Sequence, residues 1–280
     1  MRCRPRYGDG DHQSLSALHL RNVILIESRI LIFIYQSKYM YTNEKNNFGH
    51  LHPSYGRAME PRFASQIDGG LLSKANLLHF IRAFFNAANV TQGHYLEFGV
   101  FNGQSIIETY GVLRGLLTRV YGFDSFAGLP TLSAEDSASL NLTPSFAEGN
   151  FKSLPVDVIR SYILSSSTRL EAENLVLTQG FFKDSLPIFN KAEFKDKGPC
   201  LVAHVDCDLY SSSLDVFSFL DDVVTTGTWL LLDDYWLYCG SPKHGQRRAF
   251  EEWIASSKRI GATDYASYNG FSRAFILYEK

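Results

Sequence analysis

Two pairs of carboxylates each follow an apolar run in the second half of the chain. Asp206 and Asp208 lie in "HVDCDLY", and Asp233 and Asp234 close the run in "TWLLLDDYW". Carboxylates gathered in this way raise one another's pKa values, so we expect a partner that neutralises them. Oxygen ligands without a set of Cys or His ligands favour a hard cation, Mg²⁺ before Ca²⁺ or Mn²⁺. The alternative is the solvated rim of a cleft, in which backbone amides bind the carboxylates.

The spacing within each pair sets a geometric condition on such a cation site. Residues two apart on a strand point to the same side, so Asp206 and Asp208 face the same way if strand geometry persists through them. Asp233 and Asp234 are adjacent and would point in opposite directions in a regular strand. They can share one ion only if the strand ends there and the chain turns.

A glycine-containing loop with an acidic residue lies earlier in the chain, in "LEFGVFNGQS". Gly99 permits a tight turn, and Gly103 permits close backbone approach where the next helix begins. The loop suits a nucleoside-bearing cofactor. It does not match the dinucleotide fingerprint GxGxxG, because Phe101 stands where a glycine is expected. Turns of this kind are common, so the motif is weak by itself.

Asp124 ends the next predicted strand, in "VYGFDSFAGLP". An acid at this point commonly binds ribose hydroxyls through bidentate hydrogen bonds. The alternative is that Asp124 caps the turn that follows it. Together with the glycine loop, the residue favours a cofactor site.

These motifs belong to an alternating pattern of strands and helices that starts near residue 70. Five apolar strand segments alternate with amphipathic helical segments, and Ser73 is the predicted N-cap of the first helix. Residues 130–149 are predicted to form a loop. Two β-rich runs flank Asn269-Gly270, the short-range signal of a hairpin. The pattern predicts an α/β protein whose ligands bind beyond the carboxyl ends of mostly parallel strands, where all of the motifs lie.

Composition excludes several classes of protein. The chain has 280 residues and a formal net charge of -2 without a long basic run, which gives no electrostatic reason to expect a nucleic-acid partner. Its four cysteines are widely spaced and form no CxxC pair, which favours a reduced, cytoplasmic protein over a disulfide framework or a structural zinc site.

The first 60 residues are predicted to form an extension of the domain, unstructured or acting as a lid. The apolar segment "LRNVILIESRILIFIYQSK" is interrupted by Arg21, Glu27 and Arg29. Its longest uninterrupted apolar run, Ile30 to Tyr35, is too short to span a membrane, which takes roughly 20 apolar residues. No small-residue cleavage site follows it, so a secretory signal is not expected. An amphipathic helix that packs on the domain, or a true start at Met40, are the alternatives.

Five segments, in this order and spacing, resemble the family of macrocin, mycinamicin and novobiocin O-methyltransferases: "LEFGVFNGQS", "VYGFDSFAGLP", "GFFKDSLP", "VDCDLYSSS" and "WLLLDDYW". These enzymes are class I S-adenosylmethionine (SAM)-dependent methyltransferases. The resemblance covers roughly residues 65–280. It implies a Rossmann-like class I methyltransferase fold, with a mostly parallel seven-stranded sheet and a C-terminal antiparallel hairpin. We therefore expect a methyltransferase domain over residues 61–280.

The resemblance also implies which residues bind SAM: Glu97, Gly99, Gly103, Ser105, Asp124, Ser125, Phe126, Gly180 and Phe181. In the family, the residues that match Glu97, Gly99, Gly103 and Ser105 hold the methionine part of SAM. The acid that matches Asp124 binds the ribose, and Ser125 and Phe126 match residues beside the adenosine. Gly180 and Phe181 match residues that border the adenine.

The implied Mg²⁺ ligands are Asp206, Asp233 and Asp234, and Asp206 or Asp208 is the implied base. His244, in the loop after the fifth strand, is a further candidate base, although a loop histidine is more often a surface residue. Family sequences often continue "DDY" with a cysteine and then "AVxDFR". This chain has "DDYWLYCGSPKHGQRRAFEEW" and so departs from the family where acceptor contacts would lie.

The sequence thus predicts an O-methyltransferase that uses SAM, with Mg²⁺ assistance. It would methylate a hydroxyl of a sugar or other vicinal diol in a small-molecule natural product, as a monomer or a homo-oligomer. Methyl transfer is an in-line displacement, so the enzyme must hold the hydroxyl near the methyl group and take up its proton. The alternatives are a non-catalytic SAM-binding scaffold and a metal-independent methyltransferase of the same fold. A nicotinamide-dependent oxidoreductase is disfavoured, because the GxGxxG fingerprint is missing.

Overall fold

A computed structural model describes the chain over residues 72–280. The predictions for the extension 1–60 lie outside this range. Within it, no helix is long and apolar enough to cross a membrane. The strands are β1 (Gly93–Phe98), β2 (Leu117–Asp124), β3 (Leu175–Gln179), β4 (Cys200–Val205), β5 (Trp229–Leu232), β6 (Ile260–Tyr268) and β7 (Ser272–Glu279). The helices are α1 (Lys74–Ala87), α2 (Gln104–Leu113), α3 (Ala134–Ser139), α4 (Val156–Ser166), α5 (Phe182–Ser185), α6 (Lys191–Asp196), α7 (Tyr210–Val223) and α8 (Gly245–Ser256).

The strands form one seven-stranded sheet in the order β3-β2-β1-β4-β5-β7-β6. The first five run parallel, and β7 is antiparallel to both β5 and β6. The predicted sheet and its C-terminal hairpin are confirmed. The strand order reverses between β1 and β4, so a crevice for ligands is expected beyond the carboxyl ends of these two strands.

The helices cover both faces of the sheet. β1 and β4 are buried along their whole length, which is the pattern of parallel strands enclosed on two sides. One core cluster includes residues of α1, α2 and α4, and the other includes residues of α7 and α8. Ser73 caps α1 by accepting a hydrogen bond from the Asn76 amide at 3.2 Å, as predicted.

The segment 129–150, predicted as a loop, is ordered by contacts with distant residues, and we call it the cap segment. It contains α3 and a 3-10 turn at Pro144–Phe146. The Asp136 carboxylate accepts a hydrogen bond from the Tyr210 amide at 2.8 Å and so caps α7. Phe146 packs in a small apolar cluster with Leu209 and Tyr238. A helix of six residues is unstable alone, so these tertiary contacts, which periodicity does not reveal, account for α3.

Candidate active site

One row of backbone hydrogen bonds crosses the sheet just beyond the strand ends. It consists of Gly180 N to Asp124 O at 2.9 Å, Gly99 N to Phe123 O at 2.9 Å, Asp206 N to Phe98 O at 2.8 Å and Asp233 N to Val205 O at 3.0 Å. The row brings the predicted cofactor residues and the predicted metal residues to a single edge. It follows from the parallel register, because the carboxyl ends of parallel strands lie side by side.

The two predicted loop glycines are required by packing as well as by backbone conformation. Gly99 has φ +94°, and a Cβ at this position would lie 1.8 Å from the carbonyl oxygen of Asp206. Gly103, the N-cap of α2, has φ +77°, and its Cβ would lie 2.5 Å from the Ile163 side chain. Gly99 therefore lets the glycine loop touch Asp206, the first predicted metal ligand, and Gly103 lets α2 pack on α4.

Glu97 is the centre of a buried polar network. Its Oε2 accepts hydrogen bonds from the Tyr95 hydroxyl and, at 2.9 Å, from Ser105 Oγ, while Lys74 donates to the same Ser105 oxygen. Burial alone would raise the pKa of Glu97, yet His204, and then the charge of Lys74, hold it below its usual value. Glu97 Oε1 is buried and has no hydrogen-bond partner among residues 72–280. An unfilled buried acceptor fits a site that receives a donor from a ligand.

Asp124 binds backbone amides of the glycine loop and of the turn that follows β2. Its Oδ2 accepts from the amides of Val100 and Phe101, each at 2.8 Å, and its Oδ1 accepts from the Phe126 amide at 2.6 Å. A carboxylate offers about four acceptor positions, so about one is left on Oδ1. The turn-capping alternative describes the bonds present here, and a bidentate ribose contact would require some of them to exchange.

The remaining predicted cofactor residues lie around the same turn. Ser125 donates to the carbonyl of Gly128 at 2.7 Å, and Phe126 is buried with φ +54°. Gly180 has φ +147°, and Phe181 is the N-cap residue of α5. All four border the carboxyl ends of β2 and β3, beside the glycine loop.

The predicted metal residues form two overlapping groups. One contains Asp206, Asp208 and Asp234, and the other contains His204, Asp206 and Asp233; within each group the candidate ligand atoms lie within 4.8 Å of one another. β5 ends at Leu232 and the chain then turns, which meets the condition for adjacent Asp residues. Asp233 and Asp234 nevertheless belong to different groups, and Asp206 is shared.

Asp234 is a strongly perturbed carboxylate. Burial, followed by the charges of Asp208, Asp206 and Asp233, raises the pKa of Asp234 well above its usual value. Its Oδ2 accepts from the Asp208 amide at 3.0 Å, and its own amide donates to Gln246 at 3.0 Å. A divalent cation would remove the repulsion that these carboxylates experience, so the donor set fits a hard metal ion.

His204 joins the acidic groups to the Glu97 network. It is 1% exposed; its Nδ1 lies 3.2 Å from Ser105 Oγ and its Nε2 lies 3.6 Å from an Asp233 oxygen. Burial would lower the pKa of His204, as would Lys74, but Asp233 and Glu97 hold it above its usual value. The imidazole thus lies between the two halves of the site.

His244 is not in either acidic group. Its Nδ1 lies 2.8 Å from Ser139 Oγ in the cap segment, and its ring stacks on Tyr238 with centroids 6.5 Å apart. The Tyr238 hydroxyl in turn donates to the Asp208 carbonyl at 2.9 Å. His244 therefore contacts the residues that hold the cap segment and the Asp208 loop.

Sequence reasoning missed four residues that organise the site: Lys74, Asp136, His204 and Gln246. Gln246 is fully buried, and its amide also donates to the Val205 carbonyl at 2.9 Å. It shares the buried face of α8 with Ala249, Phe250 and Trp253. A polar residue at that helical spacing was the available signal. His204, placed inside an apolar strand, offered a similar one.

Comparison with solved structures identifies the class of fold. The O-methyltransferase NovP superposes with a TM-score of 0.56 over 72% of this chain and 78% of NovP, at 21% identity. The seven-stranded sheet is that of the class I methyltransferases. Residues 19–257 match the macrocin O-methyltransferase (TylF) family, and the chain belongs to that family. The match starts at residue 19, well before the resemblance expected from residue 65.

Curated relatives are identical to this chain at about a quarter of the aligned positions. A tetracenomycin derivative 4'-O-methyltransferase of Streptomyces olivaceus is 28% identical over 53% of this chain and 55% of its own length. The mycinamicin III 3''-O-methyltransferase of Micromonospora griseorubida is 26% identical over 59% of this chain and 63% of its own length. The chain thus spans somewhat more than half the length of the curated relatives that it matches.

Proposed function

We propose that the protein is a SAM-dependent O-methyltransferase that methylates a hydroxyl of a sugar or other vicinal diol in a natural product, with assistance from Mg²⁺. The observation that carries the proposal is the contact between Gly99 and Asp206. It sets the loop expected to hold the cofactor directly against a carboxylate expected to hold the metal. A transferable group and an activated hydroxyl must meet at such a short separation for an in-line displacement.

The cofactor side is assigned to the glycine loop and its neighbours. Glu97 and Ser105 would orient the methionine part of SAM, and the β2 and β3 ends would receive the nucleoside. SAM supplies an electrophilic methyl group when it is bound. The buried network below the loop is fixed by hydrogen bonds before any ligand arrives, so little reorganisation is needed at binding.

The acceptor side is assigned to the acidic residues. Asp206, Asp233 and Asp234, which come from the two overlapping groups that share Asp206, would hold Mg²⁺. The ion supplies positive charge next to the hydroxyl oxygens when it is bound. Asp208 would take the proton. We favour Asp208 over His244, because Asp208 belongs to the acidic group with Asp206 and Asp234, whereas His244 is hydrogen-bonded to the cap segment.

The nature of the acceptor is proposed from the relatives. The Streptomyces olivaceus enzyme acts on a tetracenomycin that bears a dimethoxy-rhamnosyl group, according to its name. A sugar hydroxyl with a second oxygen beside it, either a hydroxyl or a methoxy group as in the name of that relative, would suit a carboxylate-bound cation, which can bind both oxygens. The cap segment would lie over this acceptor and exclude water.

The proposal is tested with the full-length protein. Calorimetry should show binding of SAM and none of NADH, and mass spectrometry should show transfer of a labelled methyl group from SAM to rhamnosyl-bearing acceptors. Excess chelator should abolish the transfer without abolishing SAM binding. Preferential NADH binding would overturn the proposal. SAM binding without transfer to any acceptor would favour the scaffold alternative, and transfer that survives chelator would favour a metal-independent enzyme.

A further inference from the structure

Lys74 is a buried charged residue to which neither the sequence motifs nor the proposed chemistry assigns a role. It is the first residue of α1, and only 7% of it is exposed. Its backbone is fixed by the hairpin turn, since the Lys74 amide donates to Asn269 Oδ1 at 3.0 Å and the Asn269 amide donates to the Leu72 carbonyl at 2.8 Å. The contact with the hairpin turn thus directs the start of α1 to the active-site edge.

The Lys74 ammonium has more donors than partners. Among residues 72–280 it donates one hydrogen bond, to Ser105 Oγ, and no carboxylate lies within ion-pair distance of it. An ammonium carries three N–H donors, so two are left. A buried charge without a hydrogen-bonded counterion is unfavourable unless a ligand supplies one. Among the described residues, therefore, no anion pairs directly with the Lys74 ammonium, and Glu97 is linked to it only through the shared Ser105 hydroxyl.

Among the described residues, the cluster of Lys74, Ser105 and Glu97 also contains an acceptor that has no donor. Glu97 Oε1 is buried and has no partner among the described residues, while Oε2 of the same carboxylate accepts from Ser105. Open donors on Lys74 and an open acceptor on Glu97 thus lie on two sides of one serine hydroxyl. A group that carries both an anion and a cation, such as the end of an α-amino acid, complements this arrangement.

We propose that Lys74 binds the α-carboxylate of the methionine part of SAM, beside Ser105. The inference rests on the proposed function, because it takes SAM as the ligand. It assigns to α1 a direct share in cofactor binding. A purely structural role, in which Lys74 only fixes Ser105 and the start of α1, is the competing explanation.

Two ligands separate these explanations. S-adenosylhomocysteine carries the amino-acid end, whereas methylthioadenosine has the nucleoside and the sulfur without it. Calorimetry with Lys74→Met should raise the dissociation constant of S-adenosylhomocysteine by about 10- to 100-fold, the usual worth of a charge-assisted hydrogen bond. The dissociation constant of methylthioadenosine should change by less than about twofold, because that ligand has no carboxylate to lose.

The variants are chosen to keep the test decisive. Lys74→Gln retains a hydrogen bond to Ser105 but removes the charge, and it serves if Lys74→Met does not fold. Lys258→Met removes an exposed lysine between α8 and β6 and should change neither affinity. Equal losses for both ligands, or no loss for S-adenosylhomocysteine, would overturn the inference alone. Failure of the wild-type protein to bind either ligand would overturn the proposed function as well.

Discussion

Gly99 and Asp206 are in direct contact at the carboxyl edge of the sheet, in a gap that leaves no room for a side chain. A Cβ on Gly99 would lie 1.8 Å from the Asp206 carbonyl oxygen, and the backbone of Gly99 has φ +94°. This contact joins the loops that follow β1 and β4, the strands between which the sheet order reverses. Both predicted halves of the active site therefore depend on one residue that has no side chain.

Replacement of Gly99 by alanine should damage stability and SAM binding together. A left-handed conformation costs an L-residue about 1–2 kcal/mol, and the clash with Asp206 adds to it, so we expect the free energy of unfolding to fall by at least about 2 kcal/mol. SAM affinity should also fall, because the loop must move. Denaturant unfolding and calorimetry measure the two effects.

Gly111 provides the matched control. It lies inside α2, and a Cβ there would meet nothing within 4 Å. Gly111→Ala should therefore raise the free energy of unfolding by about 0.5–1 kcal/mol, the usual gain in a helix. A Gly99→Ala variant as stable as the wild type would show that the contact with Asp206 yields easily.

Asp233→Asn tests the metal hypothesis. Loss of one carboxylate ligand should lower Mg²⁺-dependent methyl transfer by at least about 100-fold, since the cation supplies several kcal/mol of charge stabilisation. SAM affinity should stay nearly unchanged, because Asp233 lies on the β5 side of the site, away from the glycine loop. Initial rates at varied Mg²⁺ and calorimetry with SAM are the measurements.

The control for this variant is Asp222→Asn. Asp222 forms an exposed ion pair with Lys191 at 2.6 Å, and exposed pairs contribute about 0–1 kcal/mol. It should leave both the rate and the SAM affinity unchanged. Full activity of Asp233→Asn in Mg²⁺ would assign this carboxylate to another task, such as holding His204.

The strands and the edge of the sheet at which the site lies could be predicted, because they depend on local patterns. Apolar runs, two glycines and the Asn269-Gly270 turn specify the parallel sheet and its hairpin. In such a sheet an acid after an apolar strand must lie at the ligand-binding edge. The placement of Asp206 and Asp233 at the same edge of the sheet as Gly99 follows from these facts.

The orientation of the carboxylates could not be predicted in the same way. The alternation rule for Asp206 and Asp208 assumed strand geometry, but β4 ends at Val205 and Asp208 has φ +63°. The turn after Leu232 sends Asp233 and Asp234 into different groups. The backbone conformation after a strand end depends on tertiary contacts, such as that of the Gln246 side chain with the Asp234 amide. Strand and helix periodicity does not reveal that this side chain folds back onto the end of β5.

His94 makes the stability of the fold depend on pH. It lies near the amino-terminal end of β1, at the opposite end of the parallel strands from the site. Burial, followed by the charge of Arg119, lowers the pKa of His94 from 6.5 to about 4. The unfolded chain therefore binds more protons than the native state between these values, and stability falls as the pH is lowered from 6.5 towards 4. The loss should approach about 3 kcal/mol, at 1.36 kcal/mol per unit.

Unfolding free energies measured from pH 7 to pH 4 check this dependence. His94→Gln should remove most of the slope that His94 contributes, whatever its effect on stability at pH 7. Identical slopes for wild type and His94→Gln would show that His94 is protonated in the native state as readily as in the unfolded chain.

The identity of the base is decided by comparing Asp208 with His244. The Asp208 backbone is fixed by bonds to Asp234 and Tyr238, so Asp208→Asn should keep its position while removing the proton acceptor. Methyl transfer should fall by about 100- to 10,000-fold, the usual contribution of a general base. His244→Gln can keep the hydrogen bond to Ser139 and should leave the rate and its pH profile unchanged. A changed profile for His244→Gln, with Asp208→Asn still active, would reverse the assignment.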